Sequence, residues 1–148
     1  MKIIDSVYKW ISHVFCYDSW VSWPTICLMC CTHGNEKQWE ILLQRFYEEY
    51  QNLILCGRIF YVVANMEAYL ENRRLVQYDF NRIRSKEIDQ NSYEYMRRSQ
   101  LASIFDECDI LLDFHTTSQN HPNLWVVDIS YIQDSDFFDT DMVLVDDS

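Results

Sequence analysis

The sequence predicts an α/β fold, with helices layered on a largely parallel or mixed central sheet. Three observations carry that prediction. Apolar runs of strand length occur at 25–31, 59–63 and 110–114. Stretches with helical periodicity separate them. Two histidines, His33 and His115, stand just past the ends of two of the runs. In parallel sheets, functional groups gather at those carboxyl ends.

The elements follow in order. Ile3, Ile4, Val7, Tyr8, Ile11, Val14 and Phe15 recur at helical spacing, opposite Asp5, Lys9 and Ser12. That pattern predicts an N-terminal helix over 3–15. A turn at Trp23-Pro24 leads into the buried strand 25–31. Residues 37–50 predict the clearest helix, with Trp39, Leu42, Leu43, Phe46 and Tyr50 on one face. Gly57 precedes the strand 59–63, and the polar stretch from about 65 to 90 reads as a long functional loop. Asn91, three before Glu94, marks a helix start. Met96, Leu101, Ile104, Phe105 and Cys108 continue that helix. The strand 110–114 delivers His115, and 124–129 predicts a further strand. Residues 1–128 are expected to form the domain, and 129–148 an acidic tail.

A chain of 148 residues, 49% hydrophobic and 16% aromatic, is long and apolar enough for one domain with a core. No apolar run approaches the ~18 residues that span a bilayer. The first residues lack a basic segment leading into an apolar one, so the expectation is a cytoplasmic protein with no membrane partner. Residues 1–98 hold all 12 Lys and Arg and 12 of the 23 acids, whereas 99–148 hold 11 acids and no base. Nucleic acid is a poor partner for such a chain. Seven of the basic residues fall between Arg73 and Arg98, which predicts a local anion site. The six cysteines have no secreted-scaffold spacing and read as reduced thiols. Cys27-x-x-Cys30 matches a redox or half-zinc pattern. It lies in an apolar run, however, where cysteine behaves as a small hydrophobe. A thiol protein built on that pair is the weakest of the functional alternatives.

Cys31-Thr32-His33-Gly34-Asn35-Glu36 places a histidine and a glutamate three residues apart just after a strand. Two histidines and a glutamate form one of the standard catalytic zinc sets, which leaves a fourth position open. His115, at the end of another strand, can supply the third ligand. Taken alone, an H-x-x-E pair is a weak signal.

Longer blocks sharpen it. Residues 33–36, the stretch Ala64-Asn65-Met66-Glu67-Ala68-Tyr69-Leu70-Glu71-Asn72-Arg73-Arg74-Leu75-Val76-Gln77-Tyr78-Asp79-Phe80-Asn81-Arg82, and Asp113-Phe114-His115-Thr116-Thr117 stand in this order. They resemble the signatures of the succinylglutamate desuccinylase/aspartoacylase family over about residues 25–128. Met66, Gln77, Phe80 and Phe114 depart from its usual residues, and none of them is a ligand. The resemblance implies a carboxypeptidase-like layered fold and hydrolysis of the amide of a small anionic N-acyl amino acid by zinc-activated water. It implies one Zn2+ per chain on His33, Glu36 and His115. Arg74 would face the developing oxyanion, and Asn81 and Arg82 would hold a substrate carboxylate. Asp79 is placed to accept a hydrogen bond from His33. Asp113, two before His115 on one strand face, is a candidate to support it. The bland alternative pairs both aspartates with nearby arginines.

The family's general base is a glutamate well downstream of the third ligand. This chain has no glutamate after Glu107, and the seven acids past His115 are all aspartates, from Asp128 to Asp147. The expectation is therefore a C-terminally truncated hydrolase with impaired turnover, or a non-catalytic zinc-binding relative. Residues 134–141 fail the EF-hand pattern and read as a solvated acidic segment.

Overall fold

The computed structural model describes residues 2–83 and 88–116 in full, together with the backbone of two later strands, 124–128 and 142–146. The chain divides into two compact units, Met1–His115 and Thr116–Ser148.

The first unit is built on a four-stranded mixed sheet in the order β3-β5-β4-β6, where β3 is Val14–Asp18, β4 Thr25–Cys30, β5 Arg58–Val63 and β6 Ile110–Phe114. β3 runs antiparallel to β5, and the other two pairings are parallel. Parallel strands cannot be joined by tight turns, so helices cross between them. α1 (Gln38–Tyr50) links β4 to β5, and α3 (Tyr93–Phe105) precedes β6.

Alternation of side chains along the strands divides the core in two. Cys27, Met29, Phe60 and Val62 pack in one cluster with Leu101 and Ile104 of α3. Leu28, Cys30, Tyr61 and Val63 pack in the other with Leu43 of α1. Each large side chain so buried stabilises the fold by about 1.5–3 kcal/mol. Cys27 and Cys30 belong to different clusters, because residues three apart on a strand face opposite ways. All six cysteines are free. The Cys108 thiol and burial both push the Cys27 thiol well above its ordinary range. Two buried thiols on opposite faces of one strand cannot act as a pair, which removes the thiol-protein reading.

Two expectations need correcting. Residues 3–15 are not a helix. A 3-10 turn (Ile3–Asp5) leads into a hairpin of β1 (Val7–Tyr8) and β2 (Ile11–Ser12), followed by β3. The segment is rich in β-branched and aromatic residues, which fit a half-buried pleated surface. Left-handed backbone at Lys9 and Trp10, with φ of 44° and 71°, closes the hairpin. The face of α1 is also rotated from the one expected. Leu43 and Glu40 are buried, with Trp39 and Tyr47 beside them, whereas Leu42, Phe46 and Tyr50 are exposed.

Among the described residues, seven non-glycine residues have positive φ, Cys31 and Asn72 among them. No helix among these residues is long and apolar enough to cross a membrane. In the second unit, β7 (Leu124–Asp128) pairs in parallel with β8 (Met142–Asp146). A strand thus lies within the stretch expected to be a tail. The segment 134–141, expected to be a solvated acidic stretch, and the Asp128 side chain lie outside the described residues.

Candidate metal centre

Strand register places the centre. Cys30 of β4 is opposite Val63 of β5 on one side and Phe114 of β6 on the other. The three chains therefore leave the sheet at one edge, and their next residues include His33, Asn65 and His115. After β4, left-handed backbone at Cys31 (φ 56°) turns the chain. The Glu36 N–H then donates to the His33 carbonyl at 3.1 Å, closing a tight turn that brings the two side chains together. Gly34 is required inside it. A Cβ there would lie 2.1 Å from the backbone carbon of Ala68 in α2 (Met66–Leu70). The Gly34 N–H donates to the Arg74 carbonyl at 3.1 Å, which joins the turn to the arginine segment.

Glu36 lies at the middle of the site. Its Oε1 is 3.2 Å from His33 Nδ1, and its Oε2 is 3.5 Å from His115 Nδ1. The two rings are tilted by 60°, with centroids 5.0 Å apart. Each residue offers one ligand atom, all within 4.8 Å of one another, and among the described residues this is the group of His, Cys, Asp and Glu fit for a metal. Tetrahedral zinc, with bonds of about 2.0–2.2 Å, needs ligand atoms roughly 3.3–3.6 Å apart. The separations of 3.2 and 3.5 Å, each to a different oxygen of Glu36, are close to that, and the nitrogen and oxygen donors suit zinc.

The outward nitrogen of each ring meets a carboxylate. His33 Nε2 is 3.3 Å from Asp79 Oδ1, and His115 Nε2 is 2.5 Å from Asp113 Oδ2. A carboxylate there keeps the proton on Nε2 and leaves Nδ1 free to ligate. Burial disfavours a charged His115, but the bonds to Asp113 and Glu36 outweigh it and hold the imidazole up at about 10. A proton and a metal thus compete for this ring. Burial would likewise raise the Asp79 carboxyl. The Asn81 N–H, Arg74 and His33 outweigh it and hold the group below its ordinary value.

Arg74 donates to Asp79 Oδ2 at 3.2 Å, its side chain about half exposed. Asn81 and Arg82 are exposed on the 3-10 turn Phe80–Arg82, directly after Asp79. Asp79 therefore serves both readings weighed for it, bonding a histidine and an arginine. Asp113 bonds His115 and Thr32. Three participants escaped the sequence reading. Thr32 donates to Asp113, at 3.0 Å to one oxygen and 2.9 Å to the other. Asn65 and Glu94, both fully buried, bond each other at 3.3 Å behind the arginine segment. Their burial is a tertiary property that local sequence does not display.

The family model of the succinylglutamate desuccinylase/aspartoacylase catalytic domain matches residues 22–139. The chain belongs to this family. A probable aspartoacylase from Prochlorococcus marinus subsp. pastoris is 28% identical over 100 residues, covering 64% of this chain and 34% of that one. An aspartoacylase family protein from Mesorhizobium loti superposes with a TM-score of 0.74 at 20% identity, covering 89% of this chain and 46% of that one. Succinylglutamate desuccinylase from Vibrio cholerae superposes with a TM-score of 0.69 at 17% identity, covering 86% and 44%. The superpositions show that this family member has the desuccinylase/aspartoacylase fold. The chain spans under half the length of each of these relatives.

Proposed function

We propose that this chain forms the zinc-binding part of an amidohydrolase acting on small anionic N-acyl amino acids, with one zinc held by His33, Glu36 and His115. The observation that carries the reading is the meeting of two Nδ1 atoms on one carboxylate, with an acid behind each ring. A bound zinc supplies Lewis acidity at the scissile carbonyl.

The chain's own residues do the rest. Asp79 and Asp113 hold the protons on the Nε2 atoms. Arg74 places a cation where negative charge develops on the carbonyl oxygen, an interaction made mainly in the transition state. Arg82 presents a planar fork that matches a substrate carboxylate in two bonds, and Asn81 adds an amide donor beside it. Six free thiols, three of them buried, fit a cytoplasmic enzyme.

Among the described residues, none is assigned to take the proton from the attacking water. No glutamate follows Glu107 to act as the family's base, a contribution of about 10²–10⁴-fold. The 148-residue chain by itself is therefore expected to turn over acetyl and succinyl amino acids very slowly. A second reading, a zinc-binding relative without catalysis, shares the metal site and differs from the first in turnover.

Metal analysis of purified wild type and His115→Ala tests the site, with one zinc per chain expected in the first and none in the second. Equal zinc in both sinks the assignment. A panel of acetyl and succinyl amino acids, assayed against His33→Ala, then separates the two readings. Efficient turnover that vanishes in the control rules out the non-catalytic relative and points to Asp128 or a partner chain as the base.

A further inference from the structure

We propose that Glu94 is a positioning residue, a clamp that fixes Arg74 and its turn against the metal triad. The proposal deepens the metal-site reading and rests on it for its consequence.

Glu94 is the second residue of α3, which Ser92 caps by accepting from the Tyr95 N–H. An acid in a helix's first turn is ordinarily solvated and serves the dipole. This one is fully buried. A carboxylate taken from water needs charge-assisted hydrogen bonds in return. Glu94 finds them in the segment that carries Arg74. Its Oε1 accepts from the Val76 N–H at 2.6 Å, the Gln77 N–H at 3.1 Å and the Asn65 amide at 3.3 Å. Its Oε2 accepts from the Gln77 N–H at 3.2 Å.

The bonds return in the other direction. The Gln77 side chain accepts from the Tyr93 N–H at 3.0 Å, and the Tyr93 hydroxyl accepts from the Glu67 N–H at 3.3 Å. The start of α3 thus holds both ends of residues 65–77. It holds the front end through Asn65, whose carbonyl oxygen also caps α2 by accepting from Ala68, and the back end through Val76 and Gln77.

Arg74 lies inside this closed segment. Its carbonyl receives the Gly34 N–H, between two metal ligands, and its guanidinium bonds Asp79, which bonds His33. The route from Glu94 to the metal ligands therefore runs through Arg74 at both its backbone and its side chain. One turn further along α3, Arg97 is also buried, and it donates to the carbonyls of Ser12, Val63 and Ala64. That fixes α3 to the end of β5, so the clamp acts from a rigid base.

Glu94→Gln keeps the shape of the side chain and turns one acceptor into a donor facing an N–H. Its metal ligands stay intact. The cobalt(II)-loaded full chain gives a visible spectrum that reports ligand geometry, and acetate serves as the probe, its charged oxygen standing in for the oxyanion that Arg74 would face. Glu94→Gln is expected to bind one cobalt per chain yet to lose about tenfold in acetate affinity, as Arg74→Ala does. The double variant should be no weaker than Arg74→Ala alone, because both changes act through one guanidinium. Ser92→Ala, which removes the α3 cap, should lower thermal stability and leave acetate affinity unchanged.

A second measurement needs no metal. Amide exchange at Gly34 should rise by about tenfold or more in Glu94→Gln and stay level in Ser92→Ala. Additive losses of acetate affinity in the double variant overturn the proposal, as does unchanged Gly34 exchange in Glu94→Gln. Cobalt binding that survives His115→Ala overturns the metal assignment instead, and the exchange result still decides the clamp.

Discussion

The two histidines of the centre are supported in opposite ways. Asp113 lies on β6 and His115 directly follows that strand, two residues on, so local chain geometry brings the pair together. His33 takes its carboxylate from Asp79, 46 residues away on an irregular segment. One half of the site is secured by secondary structure and the other by tertiary bonds. The first half needs β6 beside β4 and the Thr32 hydroxyl on Asp113. The second needs the turn at Gly34, the arginine segment and α3 to be in place together. Errors far from the metal should therefore reach His33 and spare His115.

Gly34→Ala should break the comparison most severely. The added Cβ meets backbone of α2 at 2.1–2.5 Å, and backbone cannot yield as a side-chain tip can. A loss of about 3 kcal/mol of stability or more is expected, with metal binding lost although every ligand remains. Thermal unfolding and metal content check both parts, and normal values for each would show that the turn is not locked by its neighbour.

Removing the two carboxylates sharpens the contrast. Asp113→Ala should weaken zinc by about 100-fold, because His115 is partly exposed and little else steadies its ring. Asp79→Ala should cost about 10-fold, since the tight turn also fixes His33, but it should additionally weaken binding of the acetate that stands in for the oxyanion, by releasing Arg74. Competition titrations with a chelating dye measure the first effect and acetate binding the second. Equal effects on both ligands would remove the asymmetry.

Thr32→Val should be milder, at about 1–2 kcal/mol, because it strips one donor from Asp113 and leaves the bond to His115. The smallest effect lies away from the site. Lys9 first, against some desolvation, and then Arg58 hold the Glu107 carboxyl below its ordinary value of 4.5. A lowered folded pKa gives stability that is present above the ordinary value and lost as pH falls through the folded one. Both partners are partly exposed, so the loss in acid should stay within about 1 kcal/mol and shrink with salt. Urea titrations of wild type and Glu107→Gln at neutral and acid pH should converge as pH falls.

How much of this was legible in the sequence follows the same division. The strands at 25–30, 58–63 and 110–114 could be read because parallel strands are apolar runs of the right length, although Ile110 and Leu111 stay exposed at the sheet's edge. The ligands could be read from the residues after those runs, and Asp113 from strand periodicity. Asp79 was reached through family resemblance, since nothing local ties it to a residue 46 positions away. Glu94 was seen only as a mark of a helix start. Arg97, equally buried, passed unnoticed, because a side chain's burial depends on what folds over it. The N-terminal segment misled for a different reason. Apolar residues at 3, 4, 7, 8, 11, 14 and 15 fit a helical stripe, and a short hairpin leading into a strand satisfies the same spacing. Left-handed backbone at Lys9 and Trp10 decides between them, and neither residue type announces it. On α1, apolar residues surround much of the helix, so the buried face was set by the sheet beneath.

The scarcity of glycine has a consequence for improving this protein. Two glycines serve the whole chain, and left-handed backbone is borne instead by residues such as Trp10 and Trp20. Each such residue forgoes roughly 1–2 kcal/mol that glycine would not. Both tryptophans are almost wholly exposed, so replacing them sacrifices little packing. The hairpin tip and the loop before β4 are therefore where an engineer could add thermal tolerance and solubility without touching the metal-binding edge of the sheet.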